Sequence, residues 1–329
     1  MRSFLRNGVL AAGLLLAPLS APALDILLGN DDGQSAPGIQ ALRAALCDAG
    51  HHVTLVAPAT DQSGRGGSIN TGVGSSSSAM ALTRVTSDAC GVQYALAAPT
   101  VAGRYGGTPV DSIKAGLDVV LAEDPDLIVS GLNQGQNMSQ EGSNTSGTIG
   151  AALAGAFHGI PAIAGSVGVN FSESATGFPS TSAAYAPASD FIVRLIAALE
   201  KGPGPLLPKG VRVLNVNFPV PYPNITGVQL TQLGAESDLQ LPLFDRNVGF
   251  PGLGLPGNPA LPNCGTLADG QACSVGVGVE FPPGPDPVKF ADVDAHRANK
   301  ISITPLDADM TAQNLGVLAL ALRLHGLQP

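Results

Sequence analysis

The sequence predicts an α/β protein whose Rossmann-like, mostly parallel sheet carries helices on both faces. Short apolar runs alternate along the chain with helical segments, which is the order of a parallel sheet built from β–α–β units. The runs are mostly continuous apolar segments rather than a regular alternation with polar residues, which indicates strands that are buried on both faces. Hydrophobic residues make up 44% of the 329 residues, enough to fill a core of that kind.

The bounds of the elements follow from residue types, as the first helix illustrates. Pro37 has the fixed φ of a first helical position, Ile39, Leu42 and Leu46 share one face, and Gly50 ends the segment. The same reasoning predicts strands at 24–29, 52–57, 127–130, 162–166 and 211–217, helices at 37–49, 109–121, 146–158 and 183–200, and a hairpin off the main sheet at 79–85 and 92–97.

Composition divides the chain into four segments. The 42 glycines and 27 prolines are densest near 249–285, which indicates an irregular excursion from the sheet. The predicted segments are a signal peptide at 1–23, an α/β core at 24–235, an extended Gly/Pro-rich hairpin insertion at 236–300, and a C-terminal strand and helix at 301–329.

The first 23 residues have the three parts of a secretory signal. Arg2 and Arg6 form a basic start, residues 9–16 are apolar, and Ala21-Pro22-Ala23 is a small-residue cleavage motif. The apolar run is shorter than the ~20 residues that a membrane span needs, and a buried N-terminal helix is the alternative interpretation. We expect an exported protein, periplasmic or secreted, that is cleaved near Ala23 and has no membrane segment in its mature form.

The chain is acidic, with 25 Asp and Glu against 16 Lys and Arg. Cleavage would remove Arg2 and Arg6 but no acidic residue, so the mature chain would be more acidic still. Binding to a nucleic-acid polymer needs basic side chains that neutralise phosphates, and this composition argues against it. A small phosphate ester held by a metal ion is compatible with the same charge.

Four cysteines lie after the predicted signal, and an oxidising compartment favours disulfides. Cys264 and Cys273 flank a short polar loop and are predicted to pair, which leaves Cys47 with Cys90 by elimination. No C-x-x-C or His-rich spacing indicates zinc or redox chemistry.

Three loops that follow predicted strands are rich in oxygen ligands. Carboxylates with neutral oxygen donors, and without Cys or His, suit a hard cation such as Mg²⁺ or Mn²⁺. Taken alone, the Asp-Asp-Gly sequence is more typical of an ordinary turn, but parallel strands bring such loops to one edge of the sheet. The three loops offer Asn30, Asp31 and Asp32; Asp61 and Ser63; and Asn133, Gln134, Gln136, Asn137 and Ser139.

A candidate phosphate-binding site follows the third loop. Thr145-Ser146-Gly147-Thr148 opens a helix rich in Ala and Gly. Hydroxyls and main-chain N–H groups at a helix start can bind phosphate. An ordinary Ser/Thr helix cap is the alternative.

Several collinear motifs resemble the SurE family of 5′/3′-nucleotidases. Any one of them is weak evidence, whereas their order over residues 26–306 is specific. The motifs are 26–33 with 36–39, 56–58, 62–64, 107–111, 125–133, Gly135, Asn137, 146–148, 214–217 and 302–306.

The resemblance implies a metal-dependent phosphomonoesterase acting on nucleoside monophosphates, with a divalent cation, Mg²⁺ or Mn²⁺, as cofactor. It implies catalytic roles for Asp31 and Asp32, with the choice between base and nucleophile left open. It also implies a homodimer or homotetramer that exchanges C-terminal segments, for which the apolar stretch 315–324 is a candidate helix. The implied metal ligands are Asp31, Asp32, Ser63 and Asn133, and the implied phosphate contacts are Asn137, Ser146, Gly147 and Thr148.

Two departures from the family pattern leave alternatives open. Gln62 stands where the family usually has a basic residue, and Arg65 either replaces that charge as a substrate contact or lies in solvent. The region 236–292 is longer than the family's hairpin. A non-catalytic SurE-like protein that binds a metal or nucleotide is therefore the second hypothesis.

Other enzyme classes lack their motifs. A Ser-His-Asp hydrolase would need a nucleophile elbow such as G-x-S-x-G, and a dinucleotide-dependent oxidoreductase would need G-x-G-x-x-G after the first strand. Neither pattern is present there.

Overall fold

The computed structural model describes residues 23–72, 79–98, 107–237, 239–240, 242–250, 254–278, 280 and 284–309. The predicted signal peptide, apart from Ala23, and the predicted C-terminal helix lie outside these residues. The strands are β1 (Asp25–Gly29), β2 (His52–Pro58), β3 (Ala81–Asp88), β4 (Gly91–Ala97), β5 (Leu127–Gln134), β6 (Ala162–Val167), β7 (Val213–Phe218), β8 (Gly227–Leu230), β9 (Leu243–Asp245), β10 (Gly249–Phe250), β11 (Leu255–Pro256), β12 (Val275–Val277) and β13 (Lys300–Leu306). The α-helices are α1 (Pro37–Asp48), α2 (Pro109–Ala115), α3 (Ser139–Thr145), α4 (Gly147–Phe157), α5 (Pro179–Glu200) and α6 (Asp292–Arg297).

Nine of the described strands form the main sheet, in the order β3-β4-β2-β1-β5-β6-β7-β13-β8. The pairs from β4 through β7 are parallel, and so is β13 with β8, whereas β3–β4 and β7–β13 are antiparallel. The chain runs outward from β1 in both directions, through β2 on one side and β5 on the other. This reversal of strand order places a ligand crevice at the carboxyl ends of β1, β2 and β5.

Helices cover both faces of the sheet, as the sequence predicted. Ile26 and Leu28 of β1 pack with residues of α1 and α5 in one buried cluster. Leu27, which lies between them, packs with residues of α2 and α4 in a second cluster. Successive side chains of a strand point to opposite faces, so a strand that is apolar at every position is buried on both sides. The prediction of the fold class is confirmed.

The prediction that the 79–97 hairpin lies off the main sheet was wrong. β4 pairs in parallel with β2, from Leu55 opposite Gln93 to Pro58 opposite Leu96, and β3 forms the sheet edge. The main chain of β2 would otherwise present an unpaired edge, and β4 satisfies its hydrogen bonds.

Several short elements were not predicted because their stabilising contacts are distant in sequence. Helix α3 begins where the Asp292 carboxylate accepts a hydrogen bond from Ser139 N at 3.1 Å. Helix α5, by contrast, was predicted at 183–200 and begins earlier, at Pro179, where the nearby Glu173 Oε2 accepts a hydrogen bond from Ser180 N at 2.9 Å. Strand β8 and helix α6 are also too short to show a clear hydrophobic period.

The Gly/Pro-rich region contains two small antiparallel pairs, β9 with β12 and β10 with β11. The structure pairs Cys264 with Cys273 and Cys47 with Cys90, as the sequence predicted. The second bridge joins the end of α1 to the turn between β3 and β4. The segment bounds predicted at 236 and 300 stay predictions.

Within the described residues, α5 is the single helix whose length and composition would allow it to cross a membrane. A core helix of a globular protein has the same properties, and Ile192 and Ile196 of α5 belong to the buried cluster under the sheet.

The burial of His296, in α6, is expected to make the stability of the protein depend on pH. Burial, with a smaller effect of the neighbouring Arg297 charge, lowers the pKa of His296 to about 4 from its ordinary 6.5, against an opposing hydrogen bond to the Phe218 main chain. Between these two pH values the unfolded chain binds the proton and the folded chain does not. The contribution of His296 to stability is therefore complete above pH 6.5 and is lost as the pH falls towards 4, with a slope of at most about 1.4 kcal/mol per pH unit.

We expect the His296→Gln protein to show a shallower loss of unfolding free energy than wild type across this pH range. Urea unfolding of both proteins at several pH values measures the slope. Asn224→Ala, a change of a non-titrating side chain at an exposed position, serves as the control and should keep the wild-type slope. Equal slopes for His296→Gln and wild type would contradict the assignment.

Candidate active site

The loops after β1, β2 and β5 meet at the carboxyl edge of the sheet. Gln62 N, in the loop after β2, donates a hydrogen bond of 2.8 Å to the main-chain oxygen of Asp31. Gln134 N, at the end of β5, donates one of 2.8 Å to Asp32 Oδ2. The structure therefore brings the three predicted loops together around the two adjacent carboxylates.

Asp31 is buried, with 3% of its surface exposed. Its Oδ1 accepts a hydrogen bond of 2.7 Å from the hydroxyl of Thr148 in the first turn of α4. Burial raises the pKa of Asp31, and the Thr148 hydrogen bond opposes that rise. The site thus holds a carboxylate that is costly to ionise without a nearby positive charge.

Asp32 lies beside Asp31 and shares its environment. Burial and then the charge of Asp31 raise the pKa of Asp32 to about 7, although hydrogen bonds from Gln134 N and from Asn30 Nδ2, at 3.0 Å, favour the charged form. Asp61, in the loop after β2, is close enough for its charge to raise both pKa values further. The charges of these carboxylates oppose one another, so a cation is their natural counter-charge.

Two buried amide oxygens also lack partners among the described residues. The Nδ2 of Asn133 donates to the main-chain oxygen of Gly135 at 2.7 Å, while its Oδ1 accepts no hydrogen bond. Asn30 Oδ1 is likewise buried without a donor. Buried polar atoms are normally paired, so these two oxygens are suited to contact an electropositive ligand such as a cation.

The residues present fit a hard divalent cation. Carboxylate and amide oxygens are the ligands that such ions prefer. Within the described ranges, no group of three or more His, Cys, Asp or Glu side chains is arranged as a metal site. A cation here would need neutral oxygens such as Asn133 Oδ1 to complete its shell.

Ser63 lies in the loop after β2, as predicted, but its side chain is exposed. Its hydroxyl donates to Asp61 Oδ1 at 2.7 Å, and its main-chain N–H donates to the same atom at 2.8 Å. The Ser63 oxygen keeps lone pairs for a cation, so its role as a ligand remains a prediction. Asp61 holds the loop in shape, a role that the sequence did not reveal.

The residues predicted to bind phosphate lie at the start of α4. Ser146 is the N-cap, and its Oγ accepts a hydrogen bond from Ile149 N at 3.1 Å. A Cβ on Gly147 would lie 2.8 Å from Asp31 Cβ, so the helix start packs directly on that carboxylate. The first N–H groups of a helix have no partner within the helix, and here they lie beside the acidic pair.

Asn137 lies half-buried between the third loop and α4. Its Nδ2 donates to Ser166 Oγ at 2.9 Å and to Thr148 Oγ1 at 3.3 Å. Asn215 and Asn217 of β7 contact its main chain. Ser166, Asn215 and Asn217 were not predicted to belong to the site. The polar residues that interrupt a buried strand, Asn215 and Asn217 around Val216, were the available signal.

Arg65 follows Ser63 in the second loop, and its side chain is exposed. The main chain around it turns tightly, because Arg65 N donates to Gln62 O at 3.3 Å and Ser68 N donates to Arg65 O at 3.1 Å. Its role as a substrate contact remains a prediction.

Comparison with known proteins agrees with this geometry. The family model described as survival protein SurE matches residues 26–239, which include every predicted site residue. The chain belongs to the SurE family.

Individual SurE proteins resemble the chain over most of its length. A 5′-nucleotidase SurE of Thermosynechococcus vestitus is 34% identical over 314 residues, which cover 92% of this chain and 98% of the relative. A 5′-nucleotidase SurE of Methanocella arvoryzae is 40% identical over 212 residues, 63% of this chain and 71% of the relative. The crystal structure of the SurE protein from Aquifex aeolicus superimposes with a TM-score of 0.64 at 26% identity, covering 92% of this chain and 99% of that one.

Proposed function

We propose that this SurE-family chain is a metal-dependent phosphomonoesterase that hydrolyses nucleoside 5′- and 3′-monophosphates. The names of the similar SurE proteins, 5′-nucleotidases, support the reaction. The observation that carries the metal dependence is the buried Oδ1 of Asn133, which has no hydrogen-bond partner among the described residues and lies at the edge where burial and the charge of Asp31 raise the pKa of Asp32.

Asp31, Asp32 and Asn133 would hold Mg²⁺ or Mn²⁺, with Ser63 as a further oxygen ligand. When bound, such an ion supplies a Lewis acid that polarises a phosphoryl oxygen. We propose that Asp31 and Asp32 are also the catalytic carboxylates of the enzyme. With a pKa of about 7, Asp32 is partly protonated at neutral pH, so cation binding must displace that proton and should strengthen as the pH rises.

The protein's own groups bind and orient the phosphate. The start of α4, at Gly147 and Thr148, lies against Asp31, and the start of a helix favours an anion such as an ester phosphate. Asn137, Ser146 and Arg65 are proposed as further substrate contacts. Ser146 fixes the helix start through its cap, and Thr148 orients Asp31 through the 2.7 Å hydrogen bond.

We also propose that the protein works outside the cytoplasm, as a periplasmic or secreted enzyme, and as a homodimer or homotetramer. The basic start, apolar run and Ala-Pro-Ala motif of residues 1–23 support export. Two disulfides among the described residues are compatible with an oxidising compartment.

The proposal is tested with protein stripped of metal and then assayed with AMP, 3′-AMP and p-nitrophenyl phosphate, with Mn²⁺, with Mg²⁺ and with EDTA. We expect phosphate release from the nucleotides with a divalent ion and none with EDTA. Failure to hydrolyse any of these esters with either metal, together with tight binding of AMP, would favour the non-catalytic binding protein instead.

A further inference from the structure

Strand β7 carries two buried amides on one face. Asn215 and Asn217 are fully buried, and the residues between and beside them, Leu214, Val216 and Phe218, belong to the apolar cluster on the opposite face. Burying an amide is costly unless its polar atoms are hydrogen-bonded. The hydrogen-bond partners of these amides therefore indicate their role in the structure.

Both amides bind the main chain of Asn137, 78 and 80 residues away in sequence. Asn217 Oδ1 accepts a hydrogen bond of 2.8 Å from Asn137 N, and Asn217 Nδ2 donates one of 3.1 Å to Asn137 O. Asn215 Nδ2 donates a second bond to the same oxygen at 2.8 Å. A main-chain N–H can only donate and a carbonyl can only accept, so the orientation of both amides is fixed.

The side chain of Asn137 extends this network to the acidic pair. The Thr148 hydroxyl has one proton, which it donates to Asp31 Oδ1 at 2.7 Å. Thr148 Oγ1 must therefore accept its other bond, from Asn137 Nδ2 at 3.3 Å. A continuous set of hydrogen bonds thus runs from β7 through Asn137 and Thr148 to Asp31.

We propose that Asn217, supported by Asn215, is a positioning residue of the nucleotidase reaction that acts through Asn137 and Thr148 on Asp31. Asn217 does not touch the reacting groups itself. It fixes the main chain of Asn137 and so the position from which the Asn137 side chain reaches Thr148. The Thr148 hydroxyl, which accepts from Asn137, then donates its own hydrogen bond to Asp31. Fully satisfied polar networks of this kind hold one arrangement of a site. The inference rests on the proposed function.

The network also determines which atom of the Asn137 side chain is left without a hydrogen bond among the described residues. Both described hydrogen bonds of its side chain use Nδ2, to Ser166 Oγ and Thr148 Oγ1. The Asn137 Oδ1 therefore remains as an acceptor for a cation or for a donor group of the substrate. Asn217 supports this arrangement by holding the main chain of Asn137.

The test compares Asn217→Leu and Asn217→Ser with a matched control, Ser302→Ala. Ser302 is fully buried on β13, lies opposite Asn217 in the strand register, and has a hydroxyl without a partner among the described residues. The measurements are kcat and KM for AMP with saturating Mn²⁺, the dissociation constant of inorganic phosphate, and the melting temperature. Asn217→Ser serves as the smaller change if Asn217→Leu does not fold.

We expect kcat to fall about 10- to 100-fold in the Asn217 variants, with a KM within about two-fold of wild type and no change in Ser302→Ala. Combining Asn217→Ser with Thr148→Ala should cost less than the two separate losses together, because both changes break the same network.

A lowered melting temperature with unchanged kcat, or additive losses in the double variant, would show a purely structural role for Asn217 and overturn the inference. These outcomes require an active wild type. A wild type that does not hydrolyse AMP would overturn the proposed function, and the inference with it, and so is distinguishable from a failure of the inference alone.

Discussion

Replacing Asp31 by Asn is expected to reduce nucleotide hydrolysis by at least about 10³-fold while leaving the protein folded. The amide keeps an oxygen that can accept the Thr148 hydrogen bond, so the packing of α4 on the loop survives. What is lost is the charge that binds the cation. Because burial raises the pKa of Asp31, this carboxyl group destabilises the metal-free fold at pH values above its ordinary pKa of 3.8, where the unfolded chain gives up the proton more readily than the folded one. The variant should therefore melt at a higher temperature than wild type in EDTA.

The measurements are steady-state hydrolysis of AMP with Mn²⁺ and thermal unfolding in EDTA. Asp118→Asn removes an exposed carboxylate of the Lys114 ion pair and is the matched control, expected to match wild type in both measurements. An Asp31→Asn enzyme with activity within ten-fold of wild type would contradict a catalytic or metal-binding role for this residue.

Replacing Gly147 by Ala is expected to lower kcat about 10- to 100-fold. The new Cβ would lie 2.8 Å from Asp31 Cβ and 2.9 Å from Asp31 Oδ2, with Pro109 Cγ at 3.0 Å behind it. Either the carboxylate or the start of α4 must move. Alanine is the better helix former of the two residues, so a loss of activity could not be attributed to a weaker helix.

Kinetics with AMP and a thermal melt of Gly147→Ala would test this expectation. Gly227→Ala is the control, since a Cβ there would meet no atom within 4 Å. Wild-type kcat in the Gly147→Ala protein would show that the contact between α4 and Asp31 is not needed for catalysis.

The sequence predicted the location of the site from local signals. Continuous apolar runs identified β1, β2 and β5 as buried parallel strands, and parallel strands bring their carboxyl ends to one edge. The oxygen-rich loops after those strands therefore had to meet, which the bonds from Gln62 N to Asp31 O and from Gln134 N to Asp32 Oδ2 confirm. Adjacent carboxylates at such a place indicated a cation.

The contacts that orient the site could not be predicted, because they join residues far apart in the chain. Thr148 was predicted to bind phosphate because it lies at a helix start. In the structure its hydroxyl donates a hydrogen bond to Asp31, 117 residues away. Asn217 sits in a motif shared with the SurE family, yet a motif does not say which atoms an amide binds. The same limit explains the 79–97 hairpin, whose pairing with β2 depends on an edge that only the folded sheet creates.

Binding of Mn²⁺ to metal-free protein, followed by calorimetry, tests directly whether the Asp31–Asp32 pair holds a divalent ion. We expect one site per chain in wild type and in Asp118→Asn, and loss of that site in the Asp31→Asn/Asp32→Asn double variant. Binding to wild type should weaken as the pH falls below about 7, where Asp32 takes up a proton. Mn²⁺ binding of equal stoichiometry and affinity in wild type and in the double variant would contradict a divalent-ion site at this pair.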